Sequence, residues 1–525
     1  MTEKLAYLWP EIALFVGTCI VMVIGLSPAR EVRRFCAPVT VFCLLIAGLL
    51  AVNSPPTAGA MFPNLAPFAK TLIAFVGIGL VLLCTGTADR EEEAHLLATG
   101  AKFDPLRTMR AEFYAFILFS LTGLMLCASA DDLIWMFLAL ELTSLPTYVM
   151  VTLSTKNRKS QEAGVKYFFL GAMGAAIFLY GFALLYGATG STHLGDIAEH
   201  FSTEGISGLA MAGMILALVG VSFKIAAVPM HFYTADVYEG AAAPVSAFLA
   251  FVPKAAGFLT IILLVGTLGW RYGEAHGSLP GEVRIVLWVV AALTMTFGNV
   301  LAILQTSVKR MLAYSSIAHS GYMLVGVIVG PGDGGFAQNG IAAVLFYLFS
   351  YGVMNMGAFA VIACLERRNA DGTYREIETV DDLNGLCKTR PVLGWVMVVS
   401  AMSLLGMPPL LGFFAKVPLF SSAISAGEIT LVIVLGLNSA AAAFYYLRLV
   451  YAPMLAEPDP EAEPIESNPY LGRKWAAVAS AGGVLLFAAA ANAPIGWAAR
   501  AAEYEPRRAT HAEATVIDPA SRVEP

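Results

Sequence analysis

F-K-I-A-A-V-P at positions 223–229 and G-M-P-P-L-L-G-F-F-A-K-V-P at positions 406–418 share one pattern: a lysine beside proline inside an otherwise apolar run. Proline removes a backbone donor and clashes with the preceding turn, so it breaks or kinks a helix locally. Two interrupted helices at corresponding positions mark the inverted repeats of transporters. The apolar runs around them are long enough to span a bilayer, which takes about 20 residues each. Fourteen segments satisfy that length, at 6–26, 35–53, 69–87, 111–129, 132–153, 163–187, 209–231, 241–270, 282–304, 311–330, 337–365, 391–423, 428–455 and 473–497. The two patterned runs are the seventh and the twelfth. Five is odd, so helices 4–8 and 9–13 would run in opposite senses. The expected fold is an all-α polytopic membrane protein of about 14 transmembrane helices, with two inverted five-helix repeats and broken helices 7 and 12. Its divisions are 1–110 (three helices and a loop), 111–270 (repeat 1), 271–455 (repeat 2), 456–500 (a loop and helix 14) and a flexible tail at 501–525.

Composition agrees. The 525 residues are 58% hydrophobic and 13% charged, with mean hydropathy +0.71. A soluble protein carries about 25% charged residues, and a disordered chain needs low hydrophobicity. Both classes are excluded. Net charge is −6, which gives no footing for a nucleic-acid partner. The seven cysteines include no C-x-x-C pair and mostly sit in apolar runs. Metal–sulfur centres need grouped thiolates, so single buried thiols acting as small hydrophobes are expected. No Walker A pattern and no dinucleotide fingerprint occurs in a strand–turn–helix context. Redox chemistry on this chain has no visible means.

Lysine and arginine in short loops set orientation. The odd-numbered loops carry twenty of them, against only Lys70, Arg271 and Arg284 in the even-numbered ones. Odd loops are therefore expected in the cytoplasm and both termini outside. The first apolar run is full length and lacks a small-residue cleavage site, unlike a removable signal peptide.

Five charges fall inside spans: Glu141 in W-M-F-L-A-L-E-L-T-S-L-P (135–146), Lys224, Lys254, Lys416 and Arg448. Each costs about 2.5–3.5 kcal/mol at bilayer depth unless it is paired, hydrated or neutralised. Desolvation lowers a lysine's proton affinity and raises a glutamate's, so both approach the range where a neighbour's charge can move a proton. A proton relay needs that property. Plainer readings stand beside it. Glu141 and Lys224 could form a static pair, Lys416 could snorkel outward, and Arg448 could anchor at an interface or close a polar network. Lys254 lies too far from either end of its run to snorkel. His231 and His319, near span ends, could be hydrogen-bonded structure or proton carriers. Lys166, with Glu162 beside it, could reach down toward Glu141.

At these residues the chain resembles the antiporter-like subunits of respiratory complex I. The resemblance rests on L-E-L-T-S-L-P-T-Y around Glu141, E-A-G-V-K-Y-F-F-L-G-A around Lys166, the stretch from Phe223 through D-V-Y-E-G-A-A-A-P-V-S-A-F-L, and S-V-K-R-M-L-A-Y-S-S-I-A-H-S-G-Y from Ser307. Within the family it is most similar to the N-type subunit. The chain ends soon after fourteen spans, unlike the L type with its lateral helix, and it has a lysine at 416 where the M type has an acid. The resemblance implies a proton-translocating membrane-arm subunit of NADH:quinone oxidoreductase in a bacterial inner membrane. Glu141 and Lys224 would be the coupling pair, Lys254 the central relay and Lys416 the terminal lysine toward the periplasm. Lys166, His231 and His319 would support them. NADH, FMN, iron–sulfur clusters and quinone would belong to partner subunits, and related antiporter-like subunits would be neighbours. A free-standing or Mrp-type cation/proton antiporter would share the buried lysines, and a structural scaffold would have no use for charges at two helix breaks.

Overall fold

The computed structural model describes residues 7–57, 59–90, 99–100, 108–155, 157–270, 279–332, 335–368, 374–458 and 465–505. The tail after 505, most of the stretch 88–110, Arg271, Lys102, Arg107 and Lys156 lie outside the described residues.

Among them ten helices are long and apolar enough to cross a membrane, or eleven if Leu471–Ala489 and Asn492–Ala501, bent by 84°, form one span. Four shorter apolar helices accompany them: Trp9–Gly25, Gly208–Val221, Pro391–Leu405 and Leu411–Ser425. The fold is a polytopic helical membrane bundle. Helix starts are marked by side chains that accept otherwise unbonded amides: Asp132, Asn157, Ser207, Ser307 and Asn339. Gly190 and Gly406 end helices in the left-handed conformation, where a Cβ is unfavourable.

Packing sorts the helices into layers. Ala243–Leu268 is buried on every side, and Val308–Val329 and Gly340–Cys364 nearly so. Cys36–Val52, Arg158–Thr189 and Ile429–Met454 lie outermost and present bare apolar side chains such as Phe42, Phe169 and Leu437. Such a belt suits hydrocarbon, not water. Small residues let helices approach closely. A Cβ on Gly181 would strike the backbone of Ala217, and one on Gly220 the backbone of Phe178, so Arg158–Thr189 and Gly208–Val221 pack backbone to backbone.

Both patterned runs are interrupted. The first stops at Val221 and resumes at Thr234–Gly240, and the second breaks between Leu405 and Leu411. Cis peptide bonds precede Pro229 and Pro409. One expectation needs correction. Lys70 is not a loop residue. It lies buried in helix Leu65–Leu83 and pairs with Glu11 of Trp9–Gly25 at 2.7 Å. The last segment bends between Ala489 and Asn492. A further helix, Leu194–Thr203, lies between Arg158–Thr189 and Gly208–Val221. A three-stranded antiparallel sheet, with Leu365–Arg368 between Tyr374–Glu376 and Ile465–Ser467, forms at one end of the bundle. Its strands satisfy backbone groups where helix Gly340–Cys364 runs out.

Candidate functional site: a buried row of lysines

Glu141 sits on helix Leu133–Leu153, on the turn before Pro146. Lys224 lies just past the end of Gly208–Val221, where the chain leaves helical geometry. The freed backbone is met in place: Lys224 N–H donates to Val221 O (2.8 Å), Ala227 N–H to Ser222 O (3.0 Å), Val228 N–H to Thr294 Oγ1 (2.9 Å), and the Tyr233 hydroxyl to Phe223 O (2.8 Å). A break in hydrocarbon requires such satisfaction. Lys224 Nζ stands 3.2 Å from Glu141 Oε1 and 2.6 Å from Ser144 Oγ. The lysine side chain is 2% exposed and the glutamate 19%.

Lys254 follows Pro253 inside the fully buried helix Ala243–Leu268. Its ammonium donates to Ser316 O (2.6 Å), Ser320 Oγ (2.7 Å) and Ile225 O (3.3 Å). Ile225 is the residue after Lys224, so the first helix break hands a carbonyl to the next lysine. Lys416, on Leu411–Ser425, repeats the device. Its Nζ donates to Leu405 O at 2.7 Å, the last residue before the second break, and to Ser439 Oγ at 3.2 Å. The Tyr322 ring lies 5.3 Å from the same ammonium, within cation–π range. Between the two lysines stands His319, fully buried, with Nδ1 2.6 Å from the Tyr347 hydroxyl and Nε2 2.8 Å from the Tyr446 hydroxyl. A phenol can donate or accept, so this bracket accommodates either tautomer of the ring. The Ser315 hydroxyl bonds Tyr446 in turn.

The other sequence candidates stand apart. Lys166 does not reach Glu141, because nearer carboxylates hold its ammonium: Asp236 at 2.8 Å and Glu162 at 2.9 Å. Arg310 bonds the same Asp236 and also Glu239, each at 2.9 Å. Burial works to raise the Asp236 carboxyl, but the hydrogen bonds from Lys166 and Arg310 outweigh it and hold the group below the usual carboxylate range. His231 packs against Phe232 and Phe297. Arg448 donates to Gln305 O at 3.0 Å and Ile303 O at 3.4 Å, closing the end of helix Gly281–Ile303. Reading for charge alone passed over Tyr347, Tyr446, Ser316 and Ser320, whose hydroxyls look ordinary in sequence. It also passed over Glu11, although that acid lies inside the first apolar run. Among the described residues no group of three or more His, Cys, Asp or Glu is placed to hold a metal ion.

Comparison with known proteins places this arrangement. Residues 130–441 match the family model described as NADH:quinone oxidoreductase/Mrp antiporter, TM. The NADH-quinone oxidoreductase subunit N of Trichlorobacter lovleyi is 39% identical over 86% of this chain and 87% of its own. That of Myxococcus xanthus is 38% identical over 93% and 96%. Among solved structures, a chain of respiratory complex I from Thermus thermophilus superimposes with a TM-score of 0.73 at 30% identity, covering 93% of this chain and 99% of that one. A chain of the Mrp complex from Dietzia reaches the same TM-score at 19% identity, over 96% of this chain and 97% of that one, a likeness of fold alone. The chain therefore belongs to the antiporter-like membrane subunits of NADH:quinone oxidoreductase, within the subunit N family.

Proposed function

We propose that this chain carries protons across the inner membrane as a membrane-arm subunit of a NADH:quinone oxidoreductase, through Glu141, Lys224, Lys254, His319 and Lys416. Electron transfer, with its flavin, iron–sulfur clusters and quinone, takes place on partner subunits. One observation carries this reading: contacts run from Glu141 to Lys224, from the adjoining Ile225 carbonyl to Lys254, and from Lys254 to Ser316 and Ser320, and the ring of His319, next to Ser320 in the chain, meets Tyr322, which faces Lys416. Static pairing does not explain the row, since Lys254 and Lys416 bond neutral oxygens and no carboxylate in it balances them. A lysine so held can exist as amine or ammonium, which a relay needs.

Two further features of the reading follow from the helix breaks. Counting Trp9–Gly25 and Gly208–Val221 as spans, and the two halves around residues 406–410 as one, gives fourteen crossings. Helices 4–8 (111–270) and 9–13 (271–455) then form two repeats of opposite sense, each with one broken helix. The lysine and arginine asymmetry, now twenty against two with Lys70 removed, supports placing the sheet end in the cytoplasm and both termini in the periplasm.

Replacing Glu141 tests the coupling pair. Glu141→Ala leaves Lys224 without its counter-charge and is expected to lower proton pumping and coupled electron transfer several-fold in the assembled complex. Glu141→Asp shortens the reach by one methylene and is expected to cost less. Full pumping by an assembled Glu141→Ala complex removes the residue from the mechanism.

A further inference from the structure

The sheet end of the bundle holds a cavity of 410 Å³ whose wall includes Glu376 and Lys309. Glu376, the last residue of strand Tyr374–Glu376, accepts the Ala243 N–H with both carboxylate oxygens at 3.0 Å and pairs with Lys309 Nζ at 3.2 Å. It thus touches the first residue of the Lys254 helix and the first turn of the helix that carries Ser316, Ser320 and His319.

From that point two stripes run inward in step. On one helix they are Ala243, Ala247, Ala250 and Lys254; on the other, Lys309, Ala313, Ser316 and Ser320. Each has the spacing 4, 3, 4, which keeps all four residues on one helix face. The stripes meet at both ends: at Glu376 beside the cavity, and where Lys254 bonds Ser316 O and Ser320 Oγ. Eleven residues separate the ends, a rise of about 16 Å. The members between are alanines and one serine. The Ser316 hydroxyl is buried within reach of the Tyr351 and Tyr238 hydroxyls. A hydroxyl can donate and accept in turn and so pass a proton along such a cluster, and this one stands next to Lys254, whose ammonium bonds Ser316 O.

We infer that Glu376, held by Lys309 at the cavity wall, is the group through which protons enter from the cytoplasm on their way to Lys254. The inference rests on the relay reading above and extends it to the supply side. A proton from bulk water forms an O–H bond at the Glu376 carboxylate. That bond breaks as the proton passes inward to the Ser316 hydroxyl, which takes it up while giving up its own, and an N–H bond forms at Lys254 Nζ in its neutral amine form. No electron moves. Other charges around Glu376 are largely matched. Its cross-strand partner Glu366 is taken by Arg90 at 2.5 Å and faces Arg473 at 3.9 Å. Glu239, from the short helix Thr234–Gly240, is taken by Arg310, with Lys159 4.0 Å away. Arg375 and Glu378 flank it in its own segment, Asp89 lines the cavity beyond Arg90, and Lys309 faces it directly.

Glu376 also caps a helix, so the test must separate proton uptake from capping. Glu376→Gln keeps an acceptor for the Ala243 N–H and loses the exchangeable proton. In assembled complexes reconstituted in vesicles, the inference expects pumping by this variant to fall several-fold at about pH 8.5, where protons are scarce, and by less at about pH 6.5. Glu376→Asp keeps a titratable group at the cavity and is expected to restore the wild-type pH profile. It carries the test alone if the Gln variant does not assemble. A wild-type profile in Glu376→Gln, or a loss equal at every pH in either variant, overturns the inference. Lys254→Ala run alongside distinguishes the two readings. If it abolishes transfer while Glu376→Gln behaves as wild type, only the entry point falls; if it pumps normally, the relay falls and the entry point with it.

Discussion

Glu11 and Lys70 face each other at 2.7 Å between helices Trp9–Gly25 and Leu65–Leu83, both nearly inaccessible, with the ammonium also bonded to Tyr7 O at 2.6 Å. Among the described residues no hydrogen bond or ion pair joins them to the lysine row, so their part is to fix the N-terminal helices. Removing one member of a buried pair leaves an uncompensated charge and costs about 3–5 kcal/mol, whereas exchanging both for apolar residues is often neutral or stabilising. Glu11→Ala is therefore expected to lower the thermal stability of the purified complex, and Glu11→Leu with Lys70→Met to recover it, with pumping per electron unchanged in both. A Glu11→Ala complex as stable as wild type would deny the pair this role. Both charges were open to view in the sequence, yet Lys70 reads as a loop residue because it begins an apolar run closely after Pro63 and Pro67. Glu141, Lys224 and Lys254 were legible for the opposite reason, as charges well inside apolar runs, and Lys416 because it repeats the lysine-beside-proline pattern of Lys224. Tyr347 and Tyr446 were not, since a tyrosine in an apolar helix gives no hint that its hydroxyl will meet a particular histidine nitrogen.

At the scale of the element, the helix breaks do the positioning. Proline pointed to them only loosely. Pro146, Pro253 and Pro418 all lie inside continuous helices, while the second break centres on Gly406 and the pair Pro408–Pro409. What defines a break functionally is its loose carbonyls, Ile225 O and Leu405 O, each capped by a lysine. The sheet escaped the sequence because strands of three or four residues carry no usable alternation, and Leu365 pairs with Ser467, a hundred positions away. Next to the first break, the short helix Thr234–Gly240 is tethered through Asp236 to Lys166 and Arg310. Folding holds the Asp236 carboxyl below its ordinary range, so the charged form is favoured in the native state. The stability this supplies is complete above the unfolded value of about 3.9 and is lost as pH falls through the lower native one. Asp236→Asn is accordingly expected to be less stable than wild type at neutral pH, with the difference shrinking as the pH drops below about 4. Thermal unfolding of the two proteins across that range checks this, and a difference independent of pH would contradict it.

The whole molecule puts its charges where lipid is not. Three lysines facing hydrocarbon would together cost roughly 7–10 kcal/mol on insertion scales, comparable to the net stability of a domain. Instead Lys254 and His319 occupy two of the three most enclosed helices, and Lys224 and Lys416 sit beside them at the breaks. Hydropathy marked the apolar helices but could not rank them. The central Ala243–Leu268 and the spanning stretch of the peripheral Arg158–Thr189 are similarly apolar, and packing distinguishes the one surrounded by protein from the one facing lipid. At that scale the claim is that protons cross through this enclosed row, with Lys254 at its middle. The most direct test is proton pumping, measured together with electron transfer to quinone, by an intact complex carrying Lys254→Ala. Pumping is expected to fall several-fold while the complex still assembles, and Lys254→Arg is expected to fail as well, because a guanidinium does not give up its proton. Wild-type pumping by an assembled Lys254→Ala complex would contradict the account.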